Sequence, residues 1–175
     1  MELIAPELRR LCADWNERRF GRFPKRADFD PRDFKYILGR LSLIDIHRDP
    51  LRFFYRIHGS DVARRVGLDL TGKFIDDARE PEHRDLALRH FVMVAETGEP
   101  SVMLHRQEMV GDQVWNFEAL VLPLSRDGET LDMLLNGIVY HKSKNAGAEV
   151  GIKSLQLLSE DDAFERAMPR FAQSR

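Results

Sequence analysis

Three consecutive segments in the second half of the chain constrain its fold most. The segments span 101–109, 114–124 and 131–142, and each contains enough β-forming residues to predict a strand. Only a few residues separate neighbouring segments, and the dipeptides Gly111-Asp112 and Asp127-Gly128 are typical of tight turns. Because such short connections join antiparallel neighbours, this region is predicted to form a three-stranded antiparallel meander.

A second β-rich region precedes the meander. Segments 41–47 and 52–58 are also predicted strands, and Arg48-Asp49-Pro50 between them indicates a hairpin. A short helix is expected from Ser60 to Val66, followed by a connection of small, turn-prone residues. The order of elements is therefore two strands, short helices, one longer helix and three more strands.

The longer helix is predicted over 81–97, with Gly98 just beyond its end. At 100° per residue, one face carries a single cation among apolar residues. The residues on this face are Arg84, Leu88, Phe91, Val92 and Ala95. His83 and His90 fall on the opposite side and are expected at the surface. They also lie about 10 Å apart along the helix, too far to bind one metal ion together, so no metal site is predicted.

The first 40 residues are predicted to form a helical lead-in. Helical spacing of Leu8, Leu11, Cys12 and Trp15 indicates an amphipathic helix from Pro6 to Arg19. A second short helix should begin at Asp30 as N-cap, with Phe34, Ile37 and Leu38 on its buried side. The predicted organisation is therefore a lead-in over 1–40, a central domain over 41–142, and a linker with a short C-terminal helix over 143–175.

Composition excludes several classes of protein. The 27 basic residues nearly balance the 29 acidic ones, so the net charge of −2 argues against a nucleic-acid partner. No apolar run is long enough for a membrane span, and the start of the chain lacks the pattern of a signal peptide. Cys12 is the sole cysteine, which excludes an internal disulfide and thiolate-rich metal sites. These features favour a cytoplasmic protein without membrane contact.

Several short phrases, in order along the chain, resemble those of a known family. They are Trp15, Pro24–Pro31, Tyr55-Arg56-Ile57-His58-Gly59, Leu70-Thr71-Gly72, Thr97-Gly98-Glu99-Pro100 and Leu122-Pro123-Leu124. Together with the element order, they are similar to small bacterial proteins built from one PAS domain behind a helical lead-in. The resemblance implies an α+β fold: a five-stranded antiparallel sheet with helices over one face and the N-terminal helical segment on the other. It also implies a pocket between the sheet and the helices that follow it.

In such a pocket, the strands and the long helix supply the candidate ligand-binding residues. These are Tyr55, Arg56, Ile57, Arg84, Leu88, Phe91, Val92, Phe117 and Ala119. This lining suits a flat or acyl-like organic ligand with one anionic group, oriented by Arg84. Alternatively, Arg84 pairs with Asp76 or Asp77, and Arg56 forms an internal ion pair. No cofactor is assigned, although the resemblance disfavours flavin photochemistry because residues 60–77 contain no cysteine.

The expected function is that of a non-catalytic sensory or adaptor PAS domain protein in bacterial signal transduction. It would bind a small ligand, a regulatory protein partner or both, and it could form a homodimer. The alternative is a small cone-shaped α+β enzyme of the isomerase or hydratase type. That enzyme would use a buried strand carboxylate, Asp45, Glu118 or Asp132, as general base, although partners from the basic run Arg18–Arg26 would give these carboxylates a structural role instead.

Overall fold

The computed structural model describes residues 3–78, 81–109 and 113–142, and within some of these elements it describes the backbone alone. Three α-helices are present in this part of the chain: α1 (Pro6–Glu17), α2 (Ser60–Val66) and α3 (Pro81–Thr97). The strands are β1 (Leu41–Arg48), β2 (Leu51–Ile57), β3 (Lys73–Phe74), β4 (Ser101–Met109), β5 (Gln113–Leu124) and β6 (Met133–Lys142). The linker and C-terminal helix predicted for 143–175 lie outside the described residues.

The strands form one antiparallel sheet in the order β3-β2-β1-β6-β5-β4. The first strand lies at its centre and pairs with both β2 and β6. The α+β fold and the antiparallel sheet predicted from the sequence are confirmed, with one correction. A two-residue strand, β3, pairs with β2 and raises the number of strands from five to six.

Helix α1 covers one face of the sheet, as predicted. Leu8 and Leu11 are fully buried, and they pack in one cluster with Leu120 and Leu122 of β5. Gly137 of β6 permits this close approach, because a Cβ there would lie only 2.8 Å from a methyl carbon of Leu11. Both faces of β5 are therefore buried, which explains its continuous apolar run at residues 119–122.

Two hydrogen-bonding groups fix α1 to β5. The indole Nε1 of Trp15 donates to the carbonyl of Pro123 at 2.8 Å. At the other end, the Glu118 carboxylate accepts the backbone N–H groups of Ile4 at 2.8 Å and Ala5 at 2.7 Å. Since these donors precede the first turn of α1, Glu118 anchors the helix where it begins.

The segment between α1 and β1 differs in part from the prediction. Asp30 accepts the backbone N–H of Arg32 at 2.9 Å, as expected of a cap, but only a 3₁₀ turn over Pro31–Phe34 follows. Ile37 is buried, whereas Leu38 is about half exposed because a further 3₁₀ turn, Leu38–Arg40, begins there and redirects the chain. The expected buried position of Leu38 is therefore wrong.

Helices α2 and α3 cover the opposite face of the sheet. Phe91 of α3 packs against Phe53 and Tyr55 of β2, with ring centroids 5.5 and 6.1 Å apart. Helix α2 ends at Gly67, which adopts the left-handed conformation with φ of 70°. The two faces of the sheet thus have separate helical covers, and a cavity remains under the second one.

Candidate ligand cavity

A cavity of about 310 Å³ lies between the sheet and the helices α2 and α3. Its volume is within the range of small-molecule sites, and most of its lining is apolar. The lining residues are Ser42, Tyr55, His58, Val62, Val66, Gly67, Leu68, Leu70, Ile75, Ala78, Arg84, Leu86, Ala87, His90, Phe91, Met103, Phe117, Ala119, Asn136, Ile138 and Tyr140. These residues are spread along the chain from Ser42 to Tyr140, and the folded sheet brings them together.

Strand register places polar side chains in one row under α3. Ser42 of β1 pairs with Asn136 of β6, and Asn136 pairs with Val121 of β5, which pairs in turn with Ser101 of β4. Paired residues of neighbouring strands share a face of the sheet. Ser42, Asn136 and Ser101 are all buried, and Ser42 and Asn136 line the cavity.

His90 lies above this row. It is only 4% exposed, and its ring forms a hydrogen bond with the backbone of Ser101. Burial lowers the pKa of His90 to about 4, so the imidazole is neutral at neutral pH. Its Nε2 has no hydrogen-bond partner, nor does Oδ1 of Asn136.

The predicted surface position of His90 is therefore wrong. The wheel assumed that α3 buries one face, but protein covers this helix on two sides. Phe91 and Val92 belong to the core next to β2, whereas Leu86 packs with Met103 and other side chains of β4 and β5. A helix covered on two sides does not have to send its polar residues to solvent. The side chain of His83 lies outside the described residues.

His58 is a second buried histidine in the cavity wall. Its Nδ1 accepts the backbone N–H of Leu70 at 3.2 Å, and its ring lies 5.0 Å from that of Tyr55. Burial lowers the pKa of His58 as well, so this ring is also neutral at neutral pH. His58 was not among the predicted site residues, because its position directly after β2 carries no local signal of burial.

Five of the nine predicted site residues line the cavity: Tyr55, Arg84, Phe91, Phe117 and Ala119. The structure does not place the other four in the wall. Leu88 and Val92 pack into the core between α3 and β2. Ile57 is 48% exposed, next to a register irregularity between Leu43 and Ile44 of β1.

Arg56, the remaining predicted site residue, points away from the cavity because neighbouring residues of a strand face opposite sides. Its guanidinium forms the alternative internal ion pair with Asp45 at 2.7 Å. Arg126 also contacts Asp45, at 3.0 Å, and bridges it to Asp132 at 2.8 Å. Asp45 is the buried member of this network, whereas both arginines are about half exposed.

The three strand carboxylates are thus engaged in structural contacts. Asp45 and Asp132 pair with arginines of β2 and of the β5–β6 turn, and Glu118 accepts two backbone N–H groups before α1. For Asp45 and Asp132, the expectation that the basic run of the lead-in supplies their partners is wrong, because Arg56 and Arg126 lie beside them in the folded domain. None of these three residues lines the cavity.

Arg84 lies at the start of α3, and its side chain is 23% exposed. Its Nε donates to Asp85 at 3.2 Å, not to Asp76 or Asp77 as the alternative proposed. Asp76 instead pairs with Arg52 at 2.9 Å, and the Asp77 carboxylate accepts the backbone N–H of Phe74. Because Asp85 is mostly exposed, its pair with Arg84 is weak and a ligand anion can compete with it.

Tyr140 forms part of the wall next to α2. Its ring packs against Phe117 at 5.8 Å, and the guanidinium of Arg65 lies 4.5 Å from its centroid. A cation over an aromatic ring contributes about 0.5–1 kcal/mol at an exposed position. This contact ties the last turn of α2 to β6 beside the cavity.

Within residues 3–78, 81–109 and 113–142, no group of three or more His, Cys, Asp or Glu residues could hold a metal ion. No helix in that part of the chain is long and apolar enough to cross a membrane.

Comparisons with known proteins indicate the family of this chain. A solved structure of a point variant of RsLOV has 13% sequence identity and a TM-score of 0.40, covering 84% of this chain and 87% of its own. No curated protein matches the chain. The family model for the PAS domain matches residues 4–139, which include α1, the whole described sheet up to Val139 and both helices of the cavity. The chain belongs to the PAS domain family.

Proposed function

We propose that this protein is a non-catalytic sensory PAS domain protein that acts in signal transduction by binding a small organic ligand. The observation that carries the proposal is the cavity of about 310 Å³ between the sheet and helices α2 and α3. Well-packed cores contain few voids larger than a water molecule. A cavity of this size inside a small domain therefore supports a ligand-binding function. The bound state would then be transmitted to a regulatory protein partner.

The lining supports a particular chemistry for the proposed ligand. Aromatic and aliphatic side chains such as Tyr55, Phe91 and Phe117 would bury a flat or acyl-like body. Arg84, at the less buried end of the helix, would hold one anionic group through a charge-assisted hydrogen bond.

Native mass spectrometry of protein purified without added cofactor tests the proposal. A retained small mass that is lost on denaturation supports a ligand-binding function and gives the ligand class. Protein that carries no small molecule and binds none from an extract of its expression host contradicts the small-ligand function, and only partner binding would remain.

Arg84→Ala tests the orientation of the ligand. A single charge-assisted hydrogen bond contributes about 1.5–3 kcal/mol, so we expect the variant to bind an anionic ligand roughly ten-fold to a hundred-fold more weakly. Isothermal titration measures the change. Arg89→Ala is the matched control, because Arg89 is exposed on the same helix and does not line the cavity. Equal losses in both variants would contradict a specific role for Arg84.

The enzyme alternative receives no support from the carboxylates on which it depends. A general base must reach the proton that it removes, yet Asp45, Glu118 and Asp132 lie outside the cavity wall. Alanine replacement of each, assayed against a panel of metabolites, distinguishes the two functions. Turnover by the wild type that one replacement abolishes in a folded variant would favour the enzyme.

A further inference from the structure

Two residues of the cavity wall carry polar atoms that the protein leaves without a partner. Nε2 of His90 and Oδ1 of Asn136 are buried and accept no hydrogen bond, although both residues line the cavity. A buried polar atom without a partner loses its hydrogen bonds to water and gains none in the protein, which destabilises the folded state. Most buried polar groups in native proteins avoid this cost, so two such atoms in one wall need a specific explanation.

Both atoms can accept a hydrogen bond. The hydrogen bond between the His90 ring and the Ser101 backbone raises the pKa of the ring, as expected when a ring N–H is the donor. Nε2 has no hydrogen-bond partner, so the donor is the other ring nitrogen. This assigns the proton to Nδ1 and leaves a lone pair on Nε2. The amide oxygen of Asn136 is an acceptor by its chemistry.

The terminal torsions of histidine and asparagine have broad energy wells, so small rotations that keep the hydrogen bond between His90 and Ser101 can align the acceptor atoms with a ligand. Their surroundings otherwise consist of protein: His90 is 4% exposed and Asn136 5% exposed. A donor that reaches them must therefore come from a molecule inside the cavity.

We propose that His90 and Asn136 form a deep subsite that accepts hydrogen bonds from an N–H or O–H group of the ligand. This inference rests on the proposed ligand-binding function and specifies its ligand. His90 follows Arg84 by six residues, which is about 9 Å along the helix axis. The ligand class is thus an organic acid, most simply an aromatic one, with a hydroxyl or ring N–H at the end opposite its carboxylate.

A matched pair of probes tests this subsite. The acid p-hydroxyphenylpropionate carries a donor opposite its carboxylate, and its methyl ether, p-methoxyphenylpropionate, has the same body without the donor. We expect the wild-type protein to bind the phenol roughly ten-fold more tightly in an NMR titration. Equal affinities, tighter binding of the ether, or no binding of either acid would overturn the inference.

Three variants locate the effect. In Asn136→Leu and His90→Phe, which remove the acceptors and roughly keep the volume, the preference for the phenol should fall to about one. Ser101→Ala is the matched control. Ser101 Oγ is also buried without a partner and belongs to the same row, but Ser101 does not line the cavity, so this variant should keep the wild-type preference. A preference that survives in both acceptor variants would overturn the subsite.

Stability of the unliganded protein gives an independent measurement. Replacing an unpartnered buried acceptor by an apolar group of the same shape removes its desolvation cost, so Asn136→Leu should have a higher melting temperature than the wild type. A lower melting temperature with an unchanged preference would identify Asn136 as a structural residue and overturn its role in binding.

Native mass spectrometry of the wild type separates the two proposals. If a small mass is retained but the phenol and its ether bind alike, the sensory function stands and the donor subsite is wrong. If no small molecule of any kind binds, the ligand-binding function itself fails and the subsite fails with it.

Discussion

Burial of His90 makes the stability of the protein depend on pH. Its ring is enclosed between α3 and the sheet, and burial holds its pKa at about 4, below the ordinary value of 6.5. In the unfolded chain the ring recovers the ordinary value. Between these two pH values the unfolded chain therefore binds more protons than the folded protein, and stability falls as the pH is lowered.

We expect His90→Phe to remove part of this acid sensitivity. A difference of this size between folded and unfolded pKa values corresponds to on the order of 3 kcal/mol, present above pH 6.5 and lost as the pH falls toward 4. Urea denaturation of wild type and variant at several pH values measures it. If the two free energies of unfolding change in parallel over this range, His90 is not the responsible group.

Individual site residues were predictable only where a local pattern determines their environment. Tyr55, Phe117 and Phe91 follow from alternation along strands and from the apolar stripe of a helix. His90 and Asn136 do not, because strand register and the double cover of α3 decide their burial. A helical wheel shows neither the pairing of distant strands nor the elements that pack on a helix. Strand pairing also determines the contact of Arg56, whose partner Asp45 lies on the neighbouring strand.

Helix α1 shows how one element depends on a single buried side chain. Its apolar stripe was predictable from the spacing of Leu8, Leu11 and Trp15, but its anchor was not. Glu118 is fully buried at the middle of β5, more than a hundred residues away, and its two oxygens accept the N–H groups of Ile4 and Ala5. This carboxylate was a candidate base because it interrupts a predicted strand, and partners so distant in sequence leave no local signal of a structural role.

Glu118→Gln should loosen this helix. The amide has one acceptor oxygen in place of two and adds a buried donor, so we expect a loss of about 1–3 kcal/mol in stability. Fluorescence of Trp15, whose indole is buried against Pro123, reports the docking of α1 in a Trp115→Phe background. Glu7→Gln is the control, since Glu7 lies in the first turn of α1 and forms only a partly exposed pair with Arg40. If the Trp15 emission is unchanged in Glu118→Gln, the carboxylate is not the anchor of the helix.

On the scale of the whole molecule, the described residues enclose their own core. Helix α1 covers one face of the sheet and helices α2 and α3 cover the other, with buried clusters on both sides. The order and type of these elements followed from the sequence, because turn residues and periodicity are local signals. The helix predicted near the C-terminus lies outside the described residues, and its predicted apolar side consists of Phe164, Ala167, Met168 and Phe171.

We therefore predict that deletion of residues 159–175 leaves a folded domain but weakens its association with another copy of the chain or with a regulatory partner. Both faces of the sheet stay covered in the shortened chain, so its melting temperature should stay within a few degrees of the full-length value. Sedimentation velocity over a range of concentrations measures self-association, and a Phe164→Ser, Phe171→Ser double variant separates loss of the apolar stripe from loss of chain length. Unfolding on deletion would show that the tail belongs to the core, because only buried apolar contacts could make so short a segment necessary for folding.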